Sequence, residues 1–210
     1  MSENTAITLA PSGLTAAFGD IDIPRLNIIQ KMSEIEGTLG SVVLDKEAEI
    51  ALAGAKLDVV VVGAIKRWKE DIPFDDDQIP QFADTEEASR ELAAKSDFGV
   101  LEFAEIVMLI PQPGSDDTHF PYPIGKKNYQ IGRLTVQKDA YRLTYKRLFT
   151  FSTFNKAVPV SSRLWSFSSD LMTKGKYSWF VPSLTITKGV TPKEVLEFVN
   201  NNLMGGSDDV

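Results

Sequence analysis

Between Lys56 and Trp68 the chain is apolar on both faces that a strand would present. Leu57, Val59, Val61 and Ile65 fall on one face, and Val60, Val62 and Ala64 on the other. A strand with no polar face belongs in the middle of a sheet, covered on both sides. Phe98 to Ile110, rich in Val, Ile, Leu and Phe, predicts a second strand, and Pro111 ends it. Ser41 to Leu44 predicts a short strand after the Gly37 and Gly40 turn. From Tyr141 to Thr153, Tyr141, Leu143, Tyr145, Phe149, Phe151 and Thr153 alternate with polar residues. Tyr141, Tyr145 and Leu148 also fit one helical face, but the density of Thr, Tyr and Phe favours a strand. Asn155-Lys156 then reads as a turn, Val158 to Phe167 as the returning strand, Lys174-Gly175-Lys176 as a further turn, and Tyr177 to Thr187 as the last strand.

Two segments carry helical signals. Asp84 as cap, Glu87 three residues on and the Ala-rich run to Ala94 predict a helix ending near Ser96. Thr191 as cap, Pro192 at the first position and Glu194 predict a second, with Val195, Phe198, Val199 and Leu203 on one apolar stripe. Residues 70–82 and the proline-rich stretch 111–125 read as irregular connections. The expected organisation is a loosely held arm over 1–20, one domain over 21–204, and a flexible acidic tail over 205–210. The expected class is α+β and β-rich: a small curved antiparallel sheet or an oligonucleotide-binding-like barrel, with two or three helices.

Charge changes the picture more than composition does. The whole chain of 210 residues carries a formal charge of −7. Residues 121–180 nevertheless hold eleven Lys and Arg against two acids, +9, together with twelve aromatic residues. Residues 1–120 carry −14. A local cationic patch decides binding more than net charge does, and cations interleaved with flat rings suit a polyanion whose bases stack. The groove expected on this basis uses Lys126, Lys127, Arg133, Arg142, Lys146, Arg147, Arg163, Lys174 and Lys176. Its stacking rings would be Tyr141, Tyr145, Trp165, Tyr177 and Trp179. Phe180, Leu184 and Ile186, on the opposite face of the last strand from Tyr177 and Trp179, are assigned to the core. The competing arrangement pairs these cations with the acidic front segment.

Little else in the chain suggests chemistry. The absence of cysteine excludes disulfides, thiolate metal sites and cysteine catalysis. His119 is the single histidine, and no phosphate loop, dinucleotide fingerprint, nucleophile elbow or zinc-protease motif is present. No catalytic residue, metal or cofactor is therefore expected. Asp75-Asp76-Asp77 and Glu86-Glu87 lack the spacing of a calcium loop and read as solvated charge; the acidic loop or the tail could also occupy a basic groove as an anionic mimic. The chain shows no secretory signal and no apolar run long enough for a bilayer. A cytoplasmic location is expected.

Ile23-Pro24-Arg25-Leu26-Asn27-Ile28-Ile29-Gln30-Lys31-Met32-Ser33 resembles the IPRLxxxQxxS opening of single-stranded-DNA-binding proteins of tailed bacteriophages. A valine-rich strand ending in basic residues and tryptophan, Val59 to Trp68, follows at a similar place. Asp139 to Tyr145 and Lys174 to Trp179 look like that family's paired strands. The resemblance spans roughly residues 20–187. It implies an oligonucleotide-binding barrel that coats single strands in replication or recombination without sequence preference. Bacterial counterparts end in a DDDIPF-like tip, whereas here Asp71-Ile72-Pro73-Phe74 is internal. The function expected is non-enzymatic binding of single-stranded DNA, or RNA, with self-association and replication or recombination proteins as further partners. The alternatives are a protein-interaction or virion-assembly module with complementary acidic and basic surfaces, and a Mg²⁺-dependent nuclease.

Overall fold

The computed structural model of the chain describes residues 22–73, 76–114 and 119–204. The expected arm and acidic tail lie outside the described residues, as does part of the Asp75–Asp77 loop. In chain order the elements are β1 (Leu26–Ile28), β2 (Val42–Leu44), β3 (Ala48–Ala51), β4 (Leu57–Glu70), β5 (Phe82–Ala83), α1 (Glu86–Lys95), β6 (Val100–Pro111), β7 (Tyr122–Ile124) and β8 (Lys127–Gln137). They continue with α2 (Lys138–Leu143), α3 (Tyr145–Phe154), a 3-10 turn at Val160–Ser162, β9 (Arg163–Lys174), β10 (Tyr177–Val190) and α4 (Lys193–Asn202).

The strand with two apolar faces is central, as its pattern requires. β4 pairs with β6 on one side and β9 on the other, in an antiparallel sheet of order β10-β9-β4-β6-β8-β7, with β5 on the outer half of β4. β1, β2 and β3 form a separate three-stranded sheet. Alternation along β4 sorts the core into two layers. Val59 and Val61 join Ile106, Met108, Trp165, Phe167 and Leu184 beneath the small sheet and α2–α3. Val60 and Val62 join Val107, Leu109 and Ile131 against Val195 and Val199 of α4 and Leu203 at its C-terminal cap. A register shift between Val61 and Gly63 ends this regime, and Ile65 is exposed beyond it. The fold is thus α+β and strand-rich, with antiparallel sheets. The barrel alternative is not realised, because the end strands β7 and β10 lie at opposite ends of an open sheet.

The largest departure from expectation is residues 138–154, which are helical and not a strand. α2 and α3 are separated only by Thr144 and behave as one bent helix. The residues that suggested a strand are accommodated by side-chain bonds back along the helix. Thr144, Thr150 and Thr153 donate their hydroxyls to the carbonyls four residues earlier, at 2.6, 2.7 and 2.8 Å. Tyr141, Tyr145 and Phe149 stack at successive four-residue intervals, with centroids 5.0 and 6.2 Å apart. β9 consequently begins at Arg163 and not at Val158, and it pairs with β10 across the Gly175-Lys176 turn, as the turn chemistry implied. Two capping assignments also change. Thr85, not Asp84, caps α1, accepting from the Ala88 N–H at 3.1 Å, while Asp84 pairs with Arg67. Thr191 donates to the Ser161 carbonyl at 2.6 Å and does not cap α4.

Candidate nucleic-acid interface

The bent helix α2–α3 carries two adjacent stripes, and both face a groove against the end of β10. Arg142, Lys146 and Thr150 recur every four residues, and Arg147, Phe151, Phe154 and Asn155 lie beside them. Trp165 of β9 forms the floor, and Thr185 and Ile186 of β10 form the far wall. The groove is open, encloses about 490 Å³ and has no acidic residue in its lining. Its floor is a committed piece of core. Trp165 is 1 % exposed, donates Nε1–H to the Val160 carbonyl at 3.0 Å and meets the Phe151 ring edge-on at 5.4 Å. The structure thus brings together four of the residues expected at the site: Arg142, Lys146, Arg147 and Trp165.

A second group lies at the tip of the β9–β10 hairpin. Lys174, Gly175, Lys176, Tyr177 and Trp179 line a shallow depression there. Tyr177 is 66 % exposed, with the Lys176 ammonium 5.4 Å from its ring centre. Tyr177, Trp179 and Thr185 sit on the same face of β10, because its register with β9 is unbroken from Tyr177 to Ile186. Thr185 is six positions along the strand from Trp179, or about 20 Å.

The single continuous groove expected from the sequence is not formed. Lys126 and Lys127 sit at the β7–β8 turn, at the opposite end of the sheet from β10. Arg133 lies in β8 and pairs with Glu105 at 3.5 Å. Arg163 starts β9 and is half-buried. Two expected stacking rings are not open to a ligand. Trp165 is floor, and Tyr141 is 5 % exposed beneath Tyr145. Burial, reinforced by Glu102, pushes the phenol pKa of Tyr141 and of Tyr145 upward. Conversely Ile186, assigned to the core, is exposed at the groove wall. Phe154 is not among the residues expected at the site, although its place in the helical series with Arg147 and Phe151 could have found it.

The competing idea, internal neutralisation by the acidic front segment, accounts for only part of the positive charge. Lys138 pairs with Asp71 and Arg133 with Glu105. Other front-half acids are taken by front-half cations: Glu102 by Lys66, Asp84 by Arg67, Glu86 by Arg90 and Glu91 by Lys95. Among the described residues, Arg142 pairs only with its helix neighbour Asp139, at 3.5 Å. Lys126, Lys127, Lys146, Arg163, Lys174 and Lys176 form no ion pair among the described residues. No group of three or more metal-ligating side chains occurs among the described residues, and none of their helices is long and apolar enough to cross a membrane. No family model matches the chain, and no curated protein or solved structure is significantly similar to it.

Proposed function

We propose that the protein binds single-stranded nucleic acid without sequence preference, through the α3–β10 groove and the β9–β10 hairpin tip. The observation that carries this reading is the groove itself. Three cations and three aromatic residues share one open recess that contains no acid. Phosphates are held by the cations and bases by apolar and aromatic surface, a combination suited to unpaired strands. The resemblance of the Ile23–Ser33 segment to phage proteins supports replication or recombination as the setting. No bond-breaking role is assigned to any residue.

Fluorescence titration of the protein with oligo-dT and with a duplex of equal length tests the proposal. The expected result is quenching by the single strand that weakens steeply with salt. No quenching and no mobility shift at low salt would sink it. A second reading, self-association or docking of another protein, is favoured by the exposed Phe149, Leu171 and Val190 outside the groove. Salt-labile oligomers seen by light scattering, with no affinity for oligo-dT, would select that reading.

A further inference from the structure

We infer that the α3–β10 groove receives an unpaired base of the bound strand, and that Phe154 is the ring on which this base stacks. The inference rests on the nucleic-acid reading above and assigns its base-recognition residue.

The other rings of the groove are already engaged. Phe151 and Trp165 meet edge to face at 88°, and the indole N–H of Trp165 is bonded to Val160. Phe149 stacks on Tyr145 and lies outside the groove. Phe154 differs from all of these. It is 82 % exposed, stands at the rim at the last position of α3, and makes no ring contact among the described residues. An exposed flat ring at the edge of an apolar recess flanked by cations has the geometry on which an unpaired base can stack.

The charge pattern selects that partner. Arg142 and Lys146 stand one turn apart on the rim stripe, and Thr150 extends it by a further turn toward Phe154. Lys146 and Phe154 are eight residues apart, about 12 Å along the helix axis. A backbone lying lengthwise on the rim can therefore rest phosphates on Arg142 and Lys146 while a base farther along turns inward over Phe154. A paired, stacked base cannot turn into a recess without unpairing, so the geometry favours single strands over duplex.

The test compares oligo-dT with an abasic deoxyribose-phosphate strand of the same length, by fluorescence anisotropy across a salt series, for wild type, Phe154→Ala and Phe154→Tyr. Phe154 is exposed enough for the alanine variant to fold, which thermal unfolding verifies. Wild type is expected to prefer oligo-dT by about tenfold or more, the range of one stacked base. Phe154→Ala should lower that preference by about the fivefold to tenfold of one stacked base, with an unchanged log–log salt slope and whatever the hairpin-tip rings contribute left in place, and Phe154→Tyr should restore it. If wild type binds both strands equally with a normal salt slope, or Phe154→Ala keeps the whole preference, the stacking role is overturned while nucleic-acid binding stands. If wild type binds neither strand, the parent reading falls and the inference with it.

Discussion

Gln30 pairs with the backbone of Phe180 as a strand would. Its side-chain amide donates to the Phe180 carbonyl at 2.8 Å and accepts the Phe180 N–H at 3.0 Å. Phe180 lies on the outer edge of β10 and turns both backbone groups away from β9. Residues two apart on a strand point their backbone groups the same way, so Pro182 and Leu184 also face outward. Pro182 has no N–H to offer, and the Leu184 carbonyl accepts from Arg147 at 3.0 Å. Three successive outward positions are thus blunted by an amide, a proline and a guanidinium, which protects the edge against adding another strand. Arg147 also bonds Ser183 and Thr185 at 3.0 Å. One of the cations expected to hold phosphate therefore serves the sheet edge as well.

Replacing Gln30 with Ala leaves both Phe180 groups without this partner. The expected cost is about 1–3 kcal/mol, read as a lower denaturant midpoint at an unchanged m-value. Light scattering should rise as the edge becomes available for pairing.

Gly40 and Gly54 separate the cost of backbone strain from that of crowding. Both have positive φ, 81° and 73°. A Cβ on Gly40 would overlap the Phe180 ring, whereas one on Gly54 meets nothing within 4 Å. Gly54→Ala should cost about 1–2 kcal/mol for the left-handed backbone. Gly40→Ala should cost that plus about 1–3 kcal/mol of overpacking. Equal losses in parallel denaturation curves would contradict the packing at Phe180.

The tryptophans should respond in opposite ways. Trp165→Ala removes a buried ring and should destabilise by about 3–5 kcal/mol. Trp179→Ala, at the half-buried hairpin tip, should change stability little and reduce the quenching produced by oligo-dT.

Charge reversal discriminates between the two ends of the sheet. Lys146→Glu should weaken binding of a short oligo-dT and flatten the log–log salt slope by about 0.7 for each phosphate no longer neutralised. Lys126→Glu with Lys127→Glu, at the far edge, should leave both nearly unchanged. The reverse ranking in anisotropy titrations would relocate the site.

Glu70 makes stability depend on acid. Hydrogen bonds from Ser96 and from the Gln81 backbone N–H hold its carboxyl below the usual range. A depressed folded pKa means the unfolded chain takes up the proton first. The stabilisation is therefore present above the ordinary carboxylate value of about 4.3 and is lost as pH falls through and below it. Glu70→Gln should remove this part of the acid limb of a stability–pH curve and lower stability at neutral pH.

Local pattern was enough for the segments whose neighbours do not matter to their identity. The two-faced apolar run at Val59–Val62 required a central strand, Lys174-Gly175-Lys176 required a tight turn, and the stripe of Val195, Val199 and Leu203 required a helix with one covered face. The surplus of cations over residues 121–180 was likewise a property of the chain alone. Tertiary structure decided the rest. Residues 138–154 fit either period, and Tyr and Thr prefer strands only where a strand has partners. Here Tyr141 and Leu148 pack beneath the main sheet as a helix, while the hydroxyls of Thr144, Thr150 and Thr153 bond to their own helix. That choice buried Trp165, exposed Phe154 and moved Arg142 and Lys146 onto one rim. Which cations meet carboxylates and which rings meet solvent depends on pairings between residues far apart in the chain, and no local window contains them.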